Sequence, residues 1–110
     1  MDILFEVEEQ TELGMGFLGI AEGVPVGHVQ IYGCGEHVTE MAAIWLVDKK
    51  GGNISIREFA EAFFGYLKEQ GHKEVWMRSE DIDEGDEFGF RLEEWDNSGW
   101  YPKYLFRREL

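Results

Sequence analysis

The sequence predicts an α/β (α+β) domain, a mixed and mostly antiparallel sheet with one central parallel βαβ crossover. Three observations carry this. A single well-marked helix stands between two short apolar segments, and strand, helix and strand in that order make the two strands parallel. The first of those segments, residues 41–47, is almost wholly apolar, as a central strand covered on both faces should be. On either side of this unit, β-rich runs joined by Gly-containing breaks spell antiparallel hairpins.

Residues 3–7 read as the first strand, and the polar stretch 8–14 as a turn. The runs 17–21 and 24–32 flank the break Glu22-Gly23 and pair as a hairpin. A Gly-rich polar loop, 33–37, precedes the central strand, which stops at the breaker Asp48-Lys49-Lys50-Gly51-Gly52-Asn53. In the helix, Ile56, Phe59, Ala60, Phe63, Phe64 and Leu67 recur at helical spacing and make one apolar stripe. Ser55 and Glu58 have capping-box spacing at its start, and Gly71 provides the C-terminal stop. Residues 74–78 form the second parallel strand. The acidic segment 80–87 is a loop or a short, poor helix. Residues 90–95 and 101–108 flank Asp96-Asn97-Ser98-Gly99 as a last hairpin.

Residues 1–110 make one domain, since this length leaves no room for a second core and no linker or repeat divides it. A hydrophobic content of 44% argues for a packed globule over an acidic disordered tail. No apolar run is long enough to span a bilayer, and the first residues do not have the pattern of a secretory leader. The single cysteine, Cys34, fits a reducing, cytoplasmic setting. A net charge of −13 argues against direct nucleic-acid or anionic-membrane binding, because Lys and Arg supply the phosphate contacts. The same charge serves solubility, or attracts a basic protein partner. The segment from Asp81 to Asp86 lacks the register of a calcium loop, and His28, His37 and His72 have no zinc-ligand spacing.

This order of elements, with these residues, resembles the GNAT family of N-acetyltransferases over most of the chain, from about Phe17 onward. The resemblance rests on the hairpin Glu22-Gly23-Val24-Pro25-Val26-Gly27 and on the phrase Lys68-Glu69-Gln70-Gly71-His72-Lys73-Glu74-Val75-Trp76. Phe88-Gly89-Phe90 adds to it, standing where the family often has Leu-Gly-Phe. It implies an acetyl-CoA-dependent N-acetyltransferase acting on an exposed amine. The family's two N-terminal helices are reduced or absent here, because residues 8–16 hold at most a turn. An acceptor site without those helices is open, which suits a protein substrate.

By the same resemblance, Ile44, Trp45, Leu46 and Val47 face the pantetheine arm of the cofactor. Lys49, Lys50, Gly51, Gly52, Asn53, Ile54, Ser55 and Ile56 form the pyrophosphate site at the helix N-terminus, where free amides and the helix dipole favour anions. Only Gly52 falls on an expected glycine, and the Glu58 carboxylate competes for the same donors. Glu40 is the candidate base, or else an ordinary strand-end carboxylate. Tyr104, or Tyr101, is the candidate proton donor to the departing thiolate if the fold brings one close; otherwise each is a core or edge aromatic packing across strands with Trp95 and Trp100. The family also pairs subunits through its C-terminal strands, which implies a homodimer. A second function class stays open beside the enzyme: a catalytically inactive, acidic binding protein, such as a phage-type inhibitor of a host nucleic-acid-binding factor.

Overall fold

The computed structural model describes residues 2–33, 38–47, 54–96, 99 and 103–110. Its elements follow the expected order: β1 (Ile3–Gln10), β2 (Gly14–Ala21), β3 (Val24–Gly33), β4 (Val38–Leu46), α1 (Ile56–Glu69), β5 (Glu74–Ser79), α2 (Ile82–Glu87), β6 (Arg91–Asp96) and β7 (Lys103–Glu109). The strands form one sheet in the order β1-β2-β3-β4-β5-β7-β6. The neighbours β4 and β5 are parallel and every other pair is antiparallel.

Several boundaries differ from expectation, each for a physical reason. The first strand runs on through the polar residues 8–10, because pairing resumes after a bulge as Glu9↔Gly16 and Gln10↔Met15. A solvent-facing edge strand tolerates glutamates there. The acidic segment resolves into α2, held by the Asp81 side chain, which accepts from the Asp83 amide at 2.9 Å. Phe90 lies just outside β6 and is buried among core rings.

Helix α1 ends as its sequence indicates. The Ser55 hydroxyl accepts from the Glu58 amide at 3.1 Å. At the other end Gly71 has φ +93°, and the His72 amide reaches the Leu67 carbonyl at 3.0 Å. The stripe predicted from periodicity is the buried one: Phe59, Ala60, Phe63, Phe64 and Leu67. It packs on the sheet face that carries Phe17, Val29, Met41, Val75, Met77 and Phe106. Phe59 sits so close to the sheet that a side chain at Gly19 or Gly27 would come within 2.4 Å or 2.7 Å of its ring. Helix α2 covers the same face farther along, with Gly85 pressed against Phe106.

Strand alternation therefore leaves the other face of the sheet without a helix among the described residues. The turn Thr11–Gly14 joins β1 to β2 directly, with the Thr11 amide donating to the Gly14 carbonyl at 2.9 Å. No helix of the described residues is long and apolar enough to cross a membrane.

Candidate functional site

The feature that breaks the regularity of the sheet lies between β4 and β5. Their register runs from Val38↔Glu74 to Met41↔Met77 and stops there. The cause is local. Gln30 pairs with Ala43 and Ile31 with Met41, so Ala42 is an extra residue in β4. Such a bulge bends its strand and raises its twist. Beyond it β4 continues to Leu46 on β3 alone, while β5 continues to Ser79 on β7 alone. The backbone of residues 42–46 thus presents a free edge toward β5, a row of amides and carbonyls suited to an extended ligand that itself carries amides.

Around this gap the predicted residues fall into three groups. Ile44 and Leu46 are half-buried against the core, and Trp45 projects to the bare face, where it stacks on His28 with ring centres 5.1 Å apart. The Val47 amide donates to the Val26 carbonyl at 3.0 Å and fixes the end of the strand. At the helix start, Ile54 is buried, Ser55 is the N-cap and Ile56 is half-buried. Lys49, Lys50, Gly51, Gly52 and Asn53 lie outside the described residues, as do Cys34, His37, Trp100 and Tyr101.

Ser55 consumes the Glu58 amide, and the Phe59 amide bonds the Ser55 carbonyl at 3.0 Å. Among the described residues no acceptor meets the Ile56 and Arg57 amides, so these are the open donors of the helix end. The Glu58 carboxylate lies 3.4 Å from the Ser55 hydroxyl, which places a negative charge beside them.

Glu40 stands two residues before the bulge, on the bare face, in one row with Tyr32 on β3 and Trp76 on β5. Its carboxylate is largely enclosed, with 19% of the side chain exposed, and Oε1 accepts from Arg78 Nε at 2.8 Å. Arg78 is the partner that sequence reasoning missed. The signal was present only as a basic residue four places into the second parallel strand, and its meaning depends on a register that one sequence does not reveal.

Tyr104 is elsewhere. It pairs with Ser79, stacks on Trp95 at 6.0 Å and touches Phe106, on the helix-covered face. Glu40 lies on the opposite face, so the fold does not bring these two together. Next to Glu40 runs a ladder of polar contacts across β5 and β7. Trp76 Nε1 donates to Glu74 at 3.0 Å and Arg107 Nε donates to Glu74 at 2.6 Å. The hydrogen bond from Trp76, then that from Arg107, holds the Glu74 carboxyl below its ordinary value, and Glu74 in turn raises Arg107.

Three comparisons with known proteins place this geometry. No family model matches the sequence, and no curated protein matches it either. Solved structures do. A GNAT family acetyltransferase from Elizabethkingia anophelis with acetyl-CoA bound is 15% identical, with a TM-score of 0.68 over 98% of this chain and 97% of that one. An acetyltransferase from Bacillus subtilis in complex with CoA is 12% identical, with a TM-score of 0.71 over 99% of both chains. A GNAT family acetyltransferase from Bacillus anthracis is 20% identical, with a TM-score of 0.63 over 86% of this chain and 65% of that one. The likeness is one of fold: the chain has the GNAT fold, with its mostly antiparallel sheet and single parallel pair.

Proposed function

We propose that this GNAT-fold chain is an acetyl-CoA-dependent N-acetyltransferase whose acceptor is an exposed amine, on a protein. The observation that carries the proposal is the gap between β4 and β5, with the free backbone edge of residues 42–46 beside it. That edge fits a pantetheine arm, because its amides and carbonyls match an extended chain bearing amides of its own. Support also comes from the similar structures, two of which hold acetyl-CoA or CoA.

When bound, acetyl-CoA supplies a thioester-activated acetyl group. The protein's own part is to hold and orient. The 42–46 edge aligns the arm, and the Ile56 and Arg57 amides, with Lys49 and Lys50, take the phosphates. Glu40 faces the acceptor side. With Oε1 engaged by Arg78, Oε2 remains to receive, through water, the proton that the ammonium must lose before its nitrogen can attack. In the overall reaction the new bond joins nitrogen to the acetyl carbon, the carbon–sulfur bond breaks, and sulfur leaves as the thiol. The departing sulfur takes up one proton to leave as the thiol; Tyr104 lies on the face opposite Glu40, so the two do not act from one side.

A second class, the inactive acidic binding protein, draws on two observations. Arg78 ties up the carboxylate a base would need, and Glu58 crowds the phosphate donors. A thiol-release assay with acetyl-CoA and lysine-containing acceptor peptides separates the two. The enzyme reading expects turnover that falls about 100-fold or more in Glu40→Gln, the scale of a lost general base. Absence of turnover with every acceptor, together with absence of cofactor binding, leaves the binding-protein reading.

A further inference from the structure

The charges of this chain are segregated along the sequence, and the fold turns that segregation into a polar molecule. All 10 lysines and arginines lie at or after position 49, although acidic residues occur throughout. Because β1 to β4 are consecutive neighbours in the sheet, the whole half on one side of the gap is built from residues that precede the first cation. The other half, β5-β7-β6, holds Arg78, Arg91, Lys103, Arg107 and Arg108, several of them paired with glutamates.

The bare face of the β1–β4 half is where this matters. Both helices cover the opposite face, so among the described residues no helix covers exposed Leu4 and half-buried Leu18 and Ile20, with Tyr32 and Trp45 at the far side of this patch. Leu4 is 70% exposed. Beside them stand Glu6, Glu8 and Glu9. Glu8 is engaged by His28 Nδ1 at 2.7 Å, but among the described residues Glu6 and Glu9 have no ion pair or side-chain hydrogen bond. Exposed apolar groups are costly to leave in water, and the unneutralised carboxylates beside them along β1 repel one another. A second copy of the same face would bring like charges together, and a nucleic acid or anionic membrane would do the same.

We propose that the bare β1–β4 face is a docking surface for a Lys/Arg-rich amphipathic segment of a partner protein. The apolar side of that segment covers Leu4, Leu18 and Ile20, and its cations meet Glu6 and Glu9. Arg and Lys stems suit such a face, since they lay methylenes on apolar surface while the charged heads reach carboxylates. The proposal does not depend on acetyl transfer and is tested without cofactor.

The probe is a fluorescent amphipathic Lys/Leu peptide, with its Glu/Leu counterpart as control, titrated into the full chain. Binding of the Lys/Leu peptide, weakening with added salt, and none of the Glu/Leu peptide is expected. The double variant Glu6→Lys/Glu9→Lys should lose about ten-fold or more in affinity, while Asp83→Lys/Glu87→Lys, an equal charge change on α2, should stay within about two-fold. Leu4→Ser should weaken binding with the salt dependence unchanged. Thermal melts of each variant establish that it is folded, and all these positions are exposed. Failure of the Lys/Leu peptide to bind would overturn the proposal. So would equal losses in the two double variants, which would mean attraction to net charge alone.

Discussion

Single residues set the tightest limits in this molecule. Gly19 and Gly27 exist to let Phe59 lie flat on the sheet, and the space they leave is already filled by its ring. Gly19→Ala should destabilise the fold by about 1–3 kcal/mol through overpacking, read as a lower urea midpoint with an unchanged slope. Truncating the ring instead, Phe59→Ala, should cost about 3–5 kcal/mol, because the side chain is fully buried. Glu22 has φ +52° in the two-residue turn before Gly23, a conformation that Asn adopts more easily than Glu. Glu22→Asn should therefore raise the melting temperature. The sequence announced Phe59 through helical spacing, and Glu22-Gly23 through its place between two β runs. It could not announce the contact between Phe59 and two glycines of other strands, which depends on sheet register.

The elements show where local rules suffice and where they do not. Both ends of α1 were legible, since the Ser55 N-cap and the Schellman glycine are local signals that the fold keeps, although Glu58 meets the Ser55 hydroxyl and does not close the box on its amide. Ser55→Ala should cost about 1 kcal/mol by removing the cap. Glu58→Gln should have a second effect: with a negative charge removed from beside the open Ile56 and Arg57 amides, affinity for CoA should rise. Unchanged or weaker CoA binding in that variant would detach the helix end from the phosphates. The bulge at Ala42 was not legible, because it is a mismatch between β3 and β4 and leaves no mark on β4 alone. The same holds for the β5–β7 ladder. Glu74 titrates below its ordinary value of 4.5 in the folded chain. Its stabilising contribution is therefore fully present above that value and is lost as pH falls through the lower, folded-state one. Urea midpoints should drop on acidification below pH 4.5, and Glu74→Gln should show a smaller drop from a lower starting stability.

At the scale of the whole molecule, the strand order followed from one βαβ unit flanked by hairpins, and the fold class was readable for that reason. The site was readable only in part. The candidate base Glu40 was singled out by its position at the head of the central strand, whereas its ion-pair partner Arg78 comes from 38 positions away. Tyr104 shows the converse: a plausible residue type on a plausible strand, placed by strand alternation on the far face. The missing pair of helices, inferred from the short 8–16 segment, becomes in three dimensions a bare sheet face beside the gap. The proposed function rests on that gap holding an extended cofactor. Isothermal titration of the full chain with acetyl-CoA and with free CoA tests this most directly. Saturable binding of both in the micromolar range, about −8 kcal/mol, is expected. That function also requires that the heat be lost when Leu46 is replaced by proline, because the amides of Leu46 and Ile44 face the gap while those of Val47, Trp45 and Ala43 alternate toward β3. No binding of either ligand at millimolar concentration would contradict it.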